Sequence, residues 1–158
     1  MIEAFALLPG SLNAKLTILG EGALRPELEA LVRKLGLQGR VAMPGFALDP
    51  YPWYRTADLF VLSSKWEGFG NVIVEALECG VPVVSTDCAS GPAEILENGR
   101  IGRLVPIQDP AALSAGIVES LTKPVDQDLL MRRARDFSVG VIAEQYLAYF
   151  FRAHSNVH

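Results

Sequence analysis

The stretch Ser63-Ser64-Lys65-Trp66-Glu67-Gly68-Phe69-Gly70-Asn71-Val72-Ile73-Val74-Glu75-Ala76-Leu77-Glu78-Cys79-Gly80 decides how this chain folds. It follows the apolar run Leu59-Phe60-Val61-Leu62 and passes through two glycines into a helical pattern, which makes a strand, a loop and a helix in succession. Gly68 and Gly70 allow the backbone to approach a ligand closely, and Asn71 suits the opening of a helix whose free amides and positive dipole end attract an anion. A phosphate fits that position. Glu75 lies one turn after Asn71 on the same face and Glu78 a turn further on, whereas Val72, Ile73, Val74, Ala76 and Leu77 make the rest of the helix apolar.

Working outward, four more short runs rich in branched residues read as strands, at 15–19, 40–43, 82–85 and 103–105, beside the one at 59–62. Their nearly continuous apolarity predicts burial on both faces. Helices are expected over 25–35, from Gly91-Pro92 onward, and over 111–121 after Asp109-Pro110, each with proline where no amide is required. Alternating strands and helices predict a doubly wound, Rossmann-like α/β domain: a parallel sheet of about five strands with helices on both faces. After Lys123-Pro124 the alternation stops, and helices over 127–135 and 138–151 make 123–158 a helical C-terminal appendix to a single domain, 1–158. Residues 2–8 read as the tail of a helix ending at Pro9-Gly10, so the chain is expected to start inside an element.

Composition narrows the function. The chain has 158 residues, enough for one core, with half of them apolar and a net charge of -4. That balance gives no general attraction for nucleic acid or anionic lipid, so no nucleic-acid partner is expected and a bound phosphate must be met by local groups. Cys79 and Cys88 have no Cys or His at metal-ligand spacing and read as reduced thiols. No apolar run reaches membrane-span length, and Met1-Ile2-Glu3-Ala4-Phe5 lacks the features of a secretory signal, so a cytoplasmic location is expected.

A carboxylate on an apolar helix needs hydrogen-bond donors, and the vicinal diol of a ribose supplies two, which suits Glu75. Glu67, in the loop beyond the phosphate position, can accept bonds from a sugar on the second phosphate; each such charged bond is worth roughly 1.5–3 kcal/mol. Glu67 and Glu75 with Gly68-Phe69-Gly70 between them resemble the signature of family 4 glycosyltransferases of the two-Rossmann-domain class (GT-B). The flanking Ala57-Asp58-Leu59-Phe60-Val61-Leu62-Ser63-Ser64, Gly80-Val81-Pro82-Val83-Val84-Ser85-Thr86-Asp87, Ser90-Gly91-Pro92-Ala93-Glu94-Ile95 and Asn98-Gly99 are similar to that family's neighbouring segments.

The resemblance implies a donor site for a nucleoside-diphosphate sugar of UDP or GDP type, with transfer to an acceptor hydroxyl and retention of configuration. It casts Glu67 as the catalytic-site residue that binds the donor sugar, Gly68, Phe69, Gly70, Asn71 and Val72 as the main-chain cradle, Glu75 as the ribose ligand, and the loop at Phe46-Ala47 as the cover of the base. It implies neither metal nor separate cofactor. The acceptor is expected to be a cell-envelope glycan or a lipid-linked oligosaccharide, with the complete enzyme at the inner membrane surface. The family's donor half opens with a strand and an Arg- and Lys-bearing loop, preceded by an acceptor-binding domain. Neither is in this sequence, so it reads as a truncated or split protein whose turnover alone is doubtful. The strand would lie between those at 15–19 and 59–62, which must either pair directly or leave an apolar gap.

Blander readings apply elsewhere. Trp66 and Phe69 are expected to fill core more than to stack on a sugar. Gly20-Glu21-Gly22-Ala23-Leu24-Arg25 reads as a turn, because Arg25 stands where a dinucleotide fingerprint needs its third glycine. Glu78, His154 and His158 are assigned no role, and Arg132, Arg133 and Arg135 among Asp126, Asp128 and Asp136 read as a solvated helix face. Two other functions are weighed: a non-catalytic nucleotide-sugar-binding fragment, and a dinucleotide-dependent oxidoreductase domain, which the failed glycine pattern disfavours.

Overall fold

The structure is a computed structural model that describes residues 1–154, with side chains through 151. Helix α1 (Ile2–Ala6) leads into β1 (Leu16–Leu19), α2 (Arg25–Lys34), β2 (Val41–Gly45), α3 (Tyr51–Arg55), β3 (Phe60–Leu62), α4 (Asn71–Glu78), β4 (Val83–Thr86), α5 (Pro92–Ile95), β5 (Arg103–Val105) and α6 (Pro110–Thr122). Helices α7 (Gln127–Arg135) and α8 (Val139–His154) follow without a strand. Local chemistry explains several starts. Asp109 accepts the amide of Ala112 and Asp126 that of Leu129, both at 2.9 Å, capping α6 and α7, while proline stands in the first turn of α2, α3, α5 and α6.

The five strands among the described residues form two sheets, β1-β2 and β3-β4-β5, and within each sheet every pairing is parallel. Direct pairing, the first of the two arrangements the sequence permits, is not found: β1 and β3 lie in different sheets. They nevertheless share a core. Leu16 and Ile18 of β1 and Val61 of β3 pack against one cluster with Ile2, Phe5, Val32, Val84, Val105, Leu113 and Ile117, drawn from α1, α2, α6 and the strands. A second cluster on the other face holds Tyr54, Ile73, Leu77, Val83, Ile95, Leu96 and Leu130. Val83 enters one cluster and its neighbour Val84 the other, as the two-residue period of a strand requires when helices cover both faces.

Burial on both faces is correct only for β4, every residue of which is buried. Strand β3 is half-buried throughout and Thr17 of β1 is exposed, because each strand has an edge with no neighbouring strand against it. The solvated reading of Arg133 is also corrected. Its guanidinium donates to the carbonyls of Ile95 (2.8 Å) and Glu94 (2.7 Å), pairs with Asp136 at 3.0 Å, and lies 4.4 Å from the centre of the Phe137 ring. That peg fastens the appendix to α5. His158 lies outside the described residues, as does the side chain of His154.

Ile73, fully buried on α4, anchors the helix to its core. Ile73→Ala is expected to lower stability by about 2–5 kcal/mol, and Leu48→Ala, at a 92 % exposed position, to change it by less than about 0.5 kcal/mol; urea unfolding midpoints of the two variants check both.

Candidate functional site

The loop between β3 and α4 is pinned from below and from one side. Thr86, buried at the end of β4, donates its hydroxyl to the Ser64 carbonyl at 2.6 Å, and Ser64 donates to Glu67 Oε1 at 2.6 Å. Ser90 donates to the Glu67 carbonyl at 2.7 Å. Beside it, Gly91 has φ +84°, and a Cβ there would stand 1.9 Å from the Phe69 carbonyl oxygen, so only glycine lets the two loops meet. Glu67 therefore has a fixed carboxylate, one oxygen of which is already engaged by a hydroxyl.

Helix α4 opens at Asn71, as its sequence suggests. Gly70, at φ 92°, is the residue before the first turn, and no side chain caps the helix; Asn71 is its first residue and is exposed. The Ile73 amide bonds back to the Gly70 carbonyl at 2.8 Å. The earlier amides of the turn, those of Asn71 and Val72, have no partner within the helix and no capping oxygen. A helix end left in this state carries partial positive charge suited to an anion. Phe69 turns its ring inward against Phe137, 5.3 Å between centres, so only its main chain faces the turn. Trp66 departs from the core reading: it is 81 % exposed.

Glu75 is half-buried one turn along α4, and the Tyr54 hydroxyl donates to its Oε2 at 3.0 Å. Tyr51 makes the parallel bond to Glu78 Oε2 at 2.7 Å. Burial, followed by the bond to Glu75, raises the Tyr54 phenol well above the usual tyrosine range, and the Glu78 bond is the main cause that pushes Tyr51 up to about 12. Both tyrosines belong to α3, a helix that the sequence reading does not contain. Its signal was Asp49-Pro50: the Asp49 carboxylate accepts the Tyr51 amide at 3.0 Å, a start of the same kind as Asp109-Pro110.

Phe46 and Ala47 follow β2 on the other sheet; Phe46 is 77 % exposed and Ala47 half-buried. No hydrogen bond among the described residues ties either to Glu67 or Glu75, and the link between the two regions is α3. The carboxyl ends of β1 and β2 border a hollow of about 210 Å³ lined by Leu19, Gly20, Glu21, Arg25, Leu28 and Met43 among others, away from the Glu67 loop. Arg25, bonded to Glu21, Glu29 and the Met43 carbonyl, is consumed in holding this turn together. Among the described residues no three His, Cys, Asp or Glu side chains are grouped to hold a metal ion, and no helix is long and apolar enough to cross a membrane.

Comparison with known proteins decides the family. The sequence pattern of the family described as "Glycosyl transferases group 1" matches residues 1–123. This chain belongs to the group 1 glycosyltransferases. The chain is 35 % identical over 153 residues to the N-acetylgalactosamine-N,N'-diacetylbacillosaminyl-diphospho-undecaprenol 4-alpha-N-acetylgalactosaminyltransferase of Campylobacter jejuni, covering 94 % of this chain and 41 % of that protein. It is likewise 35 % identical over 145 residues to the lipopolysaccharide core biosynthesis glycosyltransferase LpsE of Rhizobium meliloti, covering 92 % and 42 %. Among solved structures, Anabaena HepE in complex with UDP superposes with a TM-score of 0.84 at 28 % identity over 96 % of this chain and 44 % of that one. The galactosyltransferase WaaB, apo form, reaches the same TM-score at 22 % identity, which speaks to the fold alone. The glycosyltransferase domain described here thus spans less than half the length of these relatives.

Two outcomes test the geometry of the site. Gly91→Ala, with its Cβ driven into the Phe69 carbonyl at a positive φ, is expected to lower the melting temperature by at least several degrees, whereas Gly68→Ala, with open space around it, leaves it nearly unchanged; differential scanning calorimetry reads both. Because the Tyr51 phenol is raised from 10.0 to about 12, the stability it contributes is complete below pH 10 and is lost as pH climbs through 12. In an ultraviolet phenolate titration, Tyr51→Phe should remove absorbance from the alkaline end of the curve and leave the earlier part in place.

Proposed function

We propose that this domain holds the donor of a retaining sugar transfer, a nucleoside-diphosphate sugar of UDP or GDP type. The observation that carries the reading is the uncapped first turn of α4, entered through Gly70, with Glu67 before it and Glu75 after it, each steadied by a hydroxyl. The main chain from Gly68 through Val72 receives the distal phosphate, and the helix end offsets its charge without a metal ion. Glu75 accepts the ribose hydroxyls and Glu67 those of the transferred sugar, so that Glu67 stands at the reacting end. Phe46 and Ala47, in the loop after β2, flank the base. The likeness to HepE, whose structure contains UDP, supports the nucleotide assignment.

The relatives' names point to envelope glycans and undecaprenol-linked acceptors, and this domain takes its acceptor from the same classes, as a cytoplasmic protein peripheral to the inner membrane surface. The acceptor side is supplied by a part beyond these residues, in a longer chain or a partner polypeptide. Two observations support that division: the domain spans less than half of its relatives, and β1 and β3 share a core without sharing a ladder. Alone, the domain binds donor without turning it over.

Titration calorimetry with UDP, GDP and NADH separates the readings. A nucleoside diphosphate should bind in preference to NADH, and Glu75→Ala should weaken it by about tenfold or more, the worth of one charged hydrogen bond. A preference for NADH, or a Glu75→Ala protein that binds as well as the parent, would sink the donor-site assignment. Glycosyl transfer by the 158-residue chain unaided would overturn the division of labour.

A further inference from the structure

Tyr54 is 7 % exposed, in the core of the α4 face, yet its hydroxyl reaches a carboxylate on the edge of that core. Its ring is clamped edge-on from two sides, by Tyr51 with centres 6.1 Å apart and by Phe60 of β3 at 5.5 Å. A tyrosine so packed has no freedom to redirect its hydroxyl, and the bond to Glu75 Oε2 is set by the core rather than by the glutamate. Glutamate, by contrast, brings three rotatable bonds to a helix face that is otherwise apolar. The phenol fixes which way the carboxylate points.

The bond also divides the carboxylate's capacity. An ionised carboxylate offers about four lone-pair sites on two oxygens. Tyr54 occupies one on Oε2, and among the described residues Oε1 accepts no protein donor. Tyr51 forms the same kind of bond to Glu78 one turn on, but at the exposed end of the helix, where it leaves Glu75 untouched. A phenol is protonated throughout the neutral range, and burial raises that of Tyr54 further, so it remains a donor there.

We propose that Tyr54 is a positioning residue for nucleotide binding: its hydroxyl, locked by Tyr51 and Phe60, holds Glu75 so that Oε1 is presented to the ribose diol. This rests on the ribose role assigned to Glu75 above. The same contact couples α3, and with it the end of the 46–50 loop, to the helix that meets the phosphates.

The test compares UDP with its 2′,3′-dideoxy analogue, which keeps base and phosphates and lacks the diol; GDP and its analogue serve if GDP binds tighter. The parent chain should prefer the hydroxylated nucleotide by on the order of tenfold. Tyr54→Phe should cut that preference at least about threefold, from weaker binding of UDP with binding of the dideoxy analogue unchanged. Tyr51→Phe should preserve the preference. If the parent shows no preference, the ribose reading of Glu75 is wrong and this proposal falls with it. If the parent discriminates and Tyr54→Phe discriminates equally, or loses both nucleotides in parallel, Tyr54 is merely structural and the ribose reading stands. Should Tyr54→Phe fail to fold, a ring-fluorinated tyrosine at position 54 keeps the packing and lowers the phenol's pKa. Its preference for UDP should then collapse at a lower pH than in the parent, and an unshifted profile refutes the positioning role.

Discussion

The site depends on one backbone contact, the approach of the Gly91 segment to the Phe69 carbonyl. Everything from Ser64 to Asn71 must turn from the end of β3 into α4 within a few residues, and that turn holds its shape because the loop after β4 lies directly on it. A side chain at 91 would separate the two by more than an ångström, taking with it the Ser90 bond to the Glu67 carbonyl. The Thr86 and Ser64 hydroxyls extend the same support inward to the buried strand. The polar groups that matter are thus set by packed neighbours, the condition under which a few charged hydrogen bonds gain both strength and direction.

Much of this was legible in the residues. Branched runs at regular intervals and proline-marked helix starts placed every strand to within a residue or two, because buried parallel strands and first-turn prolines leave strong local signals. The turn through Gly68 and Gly70 was equally plain, since few sequences need two glycines around one aromatic just before an apolar helix. Asn71 opens the helix, and Gly70 takes the place before the first turn: a left-handed φ is open to glycine, and its lack of a side chain leaves the amides uncapped.

What was not legible depended on tertiary neighbours. Helix α3 is five residues long, below the length at which apolar periodicity speaks, so Tyr51 and Tyr54 passed as connection. Arg133 carried the same charge as its exposed neighbours and differed only in facing two free carbonyls at the end of α5. Trp66 shows the reverse: its size argued for the interior, but it sits on the outward side of a loop whose inward side Phe69 already fills. The half-burial of β3 has a cause no local pattern records, the missing ladder between it and β1.

That broken ladder bears on how the molecule yields to denaturant. Parallel sheets usually stand or fall as one because each strand is bonded to the next, whereas here, among the described residues, the β1-β2 ribbon and the β3-β4-β5 ribbon share no ladder and meet through side chains and the helices laid across them. Separating the two ribbons therefore breaks side-chain packing and no ladder bond, so a sub-global opening at that boundary sacrifices no strand-to-strand hydrogen bonds. The turn into α4 belongs to the larger ribbon, and α3, which follows the smaller one in the chain, reaches it through the Tyr54 bond to Glu75.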